Sequence, residues 1–177
     1  MTNTQRDMPN AGQHSSQSHR TFWAVLAVVA GVMLFLGWWY VRQLACLQLE
    51  GAKLGSLGSG LAIYANEHNG AFPPTLDDLL SAGLTTREVL ISANAKPGVA
   101  GCHFFYVSDL TTSDPPLWIA AYSDFVNAAL DRVVVLRVCG TVDTMTVAEF
   151  RRNRARCAAE FESVHGRMPR VIPPRYE

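Results

Sequence analysis

The chain begins with a polar segment, which is followed by a segment that is almost entirely hydrophobic. Residues 1–20 are rich in Ser, Asn, Gln, Thr and His and show no apolar periodicity, which predicts a disordered tail. Residues 21–41 contain no charged residue, and 18 of these 21 positions are hydrophobic. A helix of this length spans about 30 Å, the thickness of the hydrocarbon core of a bilayer. The pattern therefore predicts a transmembrane helix over 21–41.

The flanks of this segment favour a membrane span over a buried core helix. Arg20 and Arg42 bracket it, and aromatic residues lie at both ends, at Phe22–Trp23 and at Trp38–Tyr40. Aromatic side chains concentrate at the two membrane interfaces in this way. The stretch is longer than the apolar part of a signal peptide, and no small-x-small cleavage site follows it, so we expect an uncleaved signal anchor. A short N-terminal tail before a long C-terminal part favours a cytoplasmic N-terminus.

A helical rhythm continues over residues 42–69, which we predict to be a stalk helix. Leucines and small residues recur at steps of three and four, at Leu44, Leu47, Gly51, Leu54, Gly58, Leu61 and Ala65. Asn69-Gly70 is a typical C-terminal cap pair. Each glycine weakens an exposed helix by up to about 1 kcal/mol, so we expect another surface to pack closely on this stripe. That surface is either the chain's own domain, which we favour, or a coiled-coil partner.

Residues 70–165 alternate short helical and strand-like patterns. Thr75 opens a short helix that Gly83 closes, and Thr146 with Glu149 forms a capping box that opens a helix to about Val164. Four runs predict strands, at 103–107, 117–122, 133–138 and 142–145. The predicted fold class is α+β, with the long N-terminal helix packed on a small antiparallel sheet. Residues 166–177 carry three prolines and predict an irregular tail.

The net charge of zero divides along the chain. Residues 42–150 carry six basic and eleven acidic residues, for −5, whereas residues 151–177 carry seven arginines and three glutamates, for +4. A neutral chain with an acidic body is not a general nucleic-acid binder. The basic part begins with a run of four arginines that are candidates for contact with an acidic protein partner: Arg151, Arg152, Arg154 and Arg156.

Motifs of catalytic or metal chemistry are missing from the sequence, and we expect no enzyme and no small-molecule substrate. It contains no Gly-x-Ser-x-Gly, phosphate loop or His-Glu-x-x-His. Its four cysteines show no Cys-x-x-Cys spacing, which favours buried structural thiols. In an extracytoplasmic domain, Cys102 and Cys139 are the alternative, as an inter-strand disulfide.

The stretch LAIYANEHNGAFPPTLDDLL (residues 61–80), after an N-terminal membrane helix, resembles the type IV pilin-like proteins, in particular the major pseudopilins of type II secretion. Residues 106–116 and 133–150 resemble the strands of bacterial paralogues with a C-terminal Asp-Gly hairpin. The resemblance implies a pilin-like fold in the bacterial inner membrane and a structural role in secretion or pilus-like assembly. Its implied partners are the bilayer, other pilin-like subunits and secretion-platform proteins.

The chain departs from that family at particular positions. Thr21 and Leu26 stand where the family has its processing glycine and its glutamate, and Ala129 and Cys139 replace a histidine and an aspartate. A diverged relative that no longer polymerises is therefore an alternative.

The resemblance also implies a calcium-binding loop, with Asp109 and Asp114 as candidate ligands and no other cofactor. A membrane-tethered ligand- or calcium-binding module is the alternative function.

Overall fold

The computed structural model describes residues 14–93, 101–123 and 130–176. Within these ranges the helices are α1 (His14–Glu67), α2 (Leu76–Ser81), α3 (Arg87–Leu90) and α4 (Val147–His165). The strands are β1 (Gly101–Cys102), β2 (Phe104–Val107), β3 (Ile119–Ser123), β4 (Arg132–Arg137), β5 (Val142–Thr146), β6 (Val171–Ile172) and β7 (Arg175–Tyr176). The chain divides into two units, Met1–Arg42 and Gln43–Glu177.

In the first unit, α1 begins at His14 rather than at Thr21, so the prediction of a disordered tail is wrong for residues 14–20. No glycine or proline interrupts these residues, and a helix extends readily once the adjoining segment has formed it. All residues from Phe22 to Val41 are exposed. The described residues contain one helix that is long and apolar enough to cross a membrane.

In the second unit, the remainder of α1 presents the predicted stripe to a hydrophobic core. Leu47, Leu54, Leu61 and Ala65 are buried, whereas Leu44 remains 39% exposed. The helix ends as predicted: Asn69 and Gly70 have φ of 55° and 85°, and the Gly70 amide donates to the Ala65 carbonyl over 2.7 Å.

An antiparallel sheet in the order β5-β4-β3-β2-β6 forms the centre of this unit. Its first four strands confirm the predicted ones to within one or two residues. The prediction of an irregular tail is wrong, because the tail contains two short strands. Val171 on β6 pairs with Val107, which adds the fifth strand to this sheet. Arg175 on β7 pairs with Cys102 on β1 in a separate two-stranded sheet. Prolines flank these two-residue strands without interrupting them, and an edge strand tolerates proline nearby. The α+β fold class is confirmed.

Alternate residues of the strands face two helical layers. Val134 and Leu136 belong to a core cluster with Leu54 of α1, which also contains residues of α2 and α3. Val133 and Val135 belong to another with Phe150 of α4. The sheet therefore separates α2, α3 and most of α1 from α4, while Ala65 at the end of α1 shares a third cluster with Phe161 of α4.

Helix α4 follows β5 without a loop and begins at the predicted capping box. The Glu149 amide donates to the Thr146 hydroxyl, and the Thr146 amide donates to the Glu149 carboxylate over 2.8 Å. Phe150 and Phe161 are buried, whereas Val164 is 64% exposed. Gly166, with φ of 68°, ends the helix two residues after Val164.

Candidate functional site

Four arginines occupy the solvent side of the N-terminal half of α4, and we call this surface the arginine face: Arg151, Arg152, Arg154 and Arg156. All four are exposed, because the apolar stripe of the same helix packs Phe150 against the sheet. On a helix, Arg151 lies beside Arg154 and Arg152 lies beside Arg156, whereas Arg154 and Arg156 are two residues apart and point to different sides.

An aromatic platform holds one member of this face. The Arg154 guanidinium lies 5.6 Å from the centroid of the Tyr122 ring on β3, a cation–π contact. Tyr122 is itself fixed, since it stacks on Phe105 and packs against Phe150 with both centroids at 4.8 Å. Arg154 is therefore oriented by rigid neighbours, a feature that the arginine run alone does not reveal.

The remaining members differ in their contacts. Arg156 forms an exposed ion pair with Glu160, with a 3.7 Å separation. In the described part of the chain, no carboxylate lies within ion-pair distance of Arg151, Arg152 or Arg154. Glu149 lies on the same helix, but its carboxylate accepts the backbone and hydroxyl hydrogen bonds of Thr146. These hydrogen bonds, the backbone one foremost, lower the pKa of Glu149.

The four arginines do not stabilise α4 by themselves. Arg151 with Arg154 and Arg152 with Arg156 are like-charge pairs, each of which destabilises a helix by about 0.2–0.5 kcal/mol. The helix dipole favours cations in the last turn, yet all four arginines lie in the first half of α4. Their concentration calls for a role outside helix stability.

A small apolar cleft adjoins the arginine face. It has a volume of about 130 Å³ and lies between α4, the sheet and the segment after α4. Its lining includes Trp118, Tyr122, Phe161 and Met168, with Arg154 at its polar side. Engineered apolar cavities of about 150 Å³ admit benzene, so this cleft fits one apolar side chain. Sequence patterns cannot show it, since its walls come from four separate segments.

The candidate calcium ligands Asp109 and Asp114 are both engaged by donors of the protein. Asp114 accepts hydrogen bonds from the Thr111 amide (2.7 Å) and from His165 Nε2 (2.9 Å). Asp109 accepts one from Arg167 (3.0 Å). Over the described ranges, no group of three acidic, histidine or cysteine side chains is arranged to hold a metal ion. The two aspartates thus tie the loop to the end of α4, and the geometry gives calcium no support.

The structure describes all four cysteines as free thiols. Cys102 lies on β1, where burial raises the pKa of its thiol. Cys139 is exposed in the turn between β4 and β5, and its contact with the Thr141 hydroxyl over 3.1 Å lowers the pKa of its thiol. No strand pairing joins the two positions, and their disulfide stays a prediction.

Glu50 is a buried acid that the sequence pattern did not single out. It lies on α1 with 1% exposure, and its carboxylate accepts hydrogen bonds from the Ser92 hydroxyl, from the Ala93 amide over 2.6 Å, and from the Ser123 hydroxyl. A buried carboxylate requires such donors. Glu50 therefore fastens α1 to the segment after α3 and to the end of β3, which is a structural role.

No family model matches this sequence, and comparisons with curated proteins and with solved structures found no significant match.

Proposed function

We propose that this chain is a single-pass protein of the bacterial inner membrane, in which α1 anchors a pilin-like domain outside the cytoplasm. Its role is non-enzymatic, as a structural subunit of type II secretion or of a related pilus-like assembly. The proposal rests on the long N-terminal helix that carries a membrane-length apolar segment and then enters the core of a small α+β domain.

The observation that carries the anchor is the exposed segment from Phe22 to Val41. It comprises twenty consecutive exposed residues without a charge. At the end of this segment, Arg42 lies 5.8 Å from the Trp38 ring centroid, and a basic residue beside aromatic ones is typical of a membrane interface. A bilayer removes the apolar side chains of this segment from water.

The observation that supports assembly lies on the part of α1 inside the domain unit. This part is not covered all round: Leu49 and Ile63 are 50% and 47% exposed although the opposite side of the helix is buried. Apolar side chains on both sides of one helix suit a subunit that packs against the helices of neighbours.

The anchor is tested by membrane extraction of the full chain. Val29→Arg together with Val32→Arg places two charges in the span, at a cost of about 2.5–3.5 kcal/mol each. We expect the wild-type chain to resist carbonate extraction and this variant to be released. Leu49→Arg with Ile63→Arg is the control, with the same two charges outside the span, and it should stay in the membrane. Release of the wild type would remove the anchor from the proposal.

Orientation is read from Cys139, the exposed thiol of the β4–β5 turn. A membrane-impermeant maleimide added to intact spheroplasts should label it, and Cys139→Ser should abolish that labelling. Labelling only after lysis would reverse the proposed orientation.

Assembly is tested by site-specific cross-linking in a host with an active type II secretion system. A photoreactive residue at Ile63 should yield cross-links to pilin-like subunits. The same residue at Ala148, on the exposed start of α4, serves as the control and should not cross-link to them. A membrane-inserted chain that yields no such product at Ile63 would refute the assembly role while leaving the anchor intact.

A further inference from the structure

We infer that the arginine face and the adjoining apolar cleft form one docking surface for an acidic segment of another protein. The segment lays carboxylates on the arginines and inserts one apolar side chain into the cleft. This inference goes beyond the anchor and the assembly role, because it concerns α4, which neither of them uses.

The two parts of the surface are contiguous at Arg154. Its guanidinium stacks on Tyr122, and the same residue lines the cleft beside Trp118 and Phe161. A charged rim around a small apolar centre is the usual composition of a protein–protein contact, in which one buried anchor carries much of the affinity. The aromatic platform holds Arg154 in place before a partner arrives, which reduces the entropy lost on binding.

Three of the four arginines of this surface have no carboxylate within ion-pair distance in the described part of the chain. Elsewhere in the described residues, arginines pair with aspartates of the same domain: Arg137 with Asp143, Arg167 with Asp109, and Arg175 with Asp77. On the arginine face, only Arg156 has such a partner. Carboxylates from outside would relieve the like-charge repulsion between Arg151 and Arg154 and between Arg152 and Arg156.

The chemistry of the surface favours an acidic protein segment over a lipid surface. A helix that binds a membrane interface inserts its apolar face, but the apolar face of α4 is buried on the sheet. Within α4, Val164 in the last turn is the one large hydrophobic side chain that is exposed.

The test measures binding of labelled peptides to the full chain in zwitterionic micelles by fluorescence anisotropy. The first peptide is helical, with glutamates at three- and four-residue spacing on one face and a single leucine beside them. The second replaces its glutamates with glutamine, and the third replaces its leucine with alanine. We expect the first to bind, and each replacement to weaken binding about tenfold or more.

The matched variants remove two charges each. Arg151→Gln with Arg154→Gln should weaken binding of the first peptide at least about tenfold, and it should lower the salt dependence of binding. Arg87→Gln with Arg132→Gln removes the same charge from two exposed positions outside the surface and should change affinity by about twofold or less. Thermal unfolding of both variants confirms that each remains folded.

Three results would overturn the inference. One is an equal loss of affinity in both double variants, which would show that binding depends only on the net charge of the protein. Another is equal affinity for the leucine and alanine peptides, which would remove the cleft from the surface. The third comes from nanodisc-held protein: capture by phosphatidylglycerol vesicles through Arg151 and Arg154, without binding of the peptide, would assign the face to a lipid surface.

Discussion

Gly60 on α1 lies directly against the backbone of Leu84, so that a Cβ atom added to Gly60 would lie 2.7 Å from the Leu84 carbonyl oxygen. The glycine therefore permits a close approach of the helix to the turn after α2. Gly55, one and a half turns earlier on the same helix, differs: its added Cβ would meet only a methyl group of Val142, at 3.9 Å, which is ordinary contact.

These two glycines predict opposite effects of the same substitution. Gly60→Ala should lower the free energy of unfolding by about 1–3 kcal/mol, because the backbone of Leu84 must move. Gly55→Ala should be neutral or should raise it by up to about 1 kcal/mol through helix propensity. Thermal unfolding followed by near-ultraviolet circular dichroism measures both. Equal destabilisation of the two variants would contradict the packing described for Gly60.

The buried carboxylate of Glu50 predicts a second effect on stability. Glu50→Gln keeps the shape of the side chain but turns an amide donor toward groups that are themselves donors, at Ser92, Ala93 or Ser123. We expect a loss of about 2 kcal/mol or more in the free energy of unfolding. Glu67→Gln, at the exposed end of the same helix, is the control and should lie within about 0.5 kcal/mol of the wild type. A wild-type-like Glu50→Gln variant would show that these hydrogen bonds contribute little.

The capping box of α4 predicts a dependence on pH. The pKa of Glu149 is lowered first by the backbone amide of Thr146 and then by its hydroxyl. A lowered pKa in the folded state means that this carboxylate stabilises the fold above the ordinary glutamate pKa, about 4.3, and that the contribution is lost as the pH falls through the lower value.

Carboxyl-carbon chemical shifts measure that pKa directly. Thr146→Ala removes only the hydroxyl, so the pKa of Glu149 should rise part of the way toward the ordinary value. The difference in stability between wild type and Glu149→Gln should shrink on acidification below pH 4. A difference that stays constant down to pH 2 would be inconsistent with the capping role.

The thiols predict an order of reactivity. Cys139 is exposed, and its hydrogen bond to Thr141 lowers the pKa of its thiol. Burial raises the pKa of the Cys102 and Cys157 thiols. Because the thiolate is the reactive form, a limiting maleimide should modify Cys139 before those two, and Thr141→Val should slow its reaction.

A count of the free thiols tests the predicted disulfide. Unreduced protein that yields four titratable thiols after denaturation would rule out a bond between Cys102 and Cys139. Two missing thiols, with peptides that link these positions, would establish it.

Sequence patterns predict the elements that depend on residues close together in the chain. The apolar span, the stripe on α1 and the capping box of α4 each depend on residues that are close together in the chain, so local patterns predict them. Glu50 escaped notice because a single acid beside a leucine stripe looks like a solvent-facing position. Its burial depends on Ser92 and Ser123, which the fold brings together from distant parts of the chain.

The arginine face was predictable only in part. The run from Arg151 to Arg156 is plain in the sequence, and it indicates an exposed basic helix. The contact of Arg154 with Tyr122 and the cleft beside it depend on the packing of α4 across β3. The strands β6 and β7 were missed because two residues between prolines carry no periodic signal.

The position of β6 affects the tendency of the protein to aggregate. Its two residues cover the outer edge of β2 at Tyr106 and Val107, and the Arg170 carbonyl accepts the next amide, that of Ser108. An open edge of this kind is a template on which strands of other molecules add, and β2 carries two phenylalanines, a tyrosine and a valine. The short strand after α4 is thus a guard against aggregation, and a chain cut after Gly166 would expose a strand that recruits its own copies into fibres.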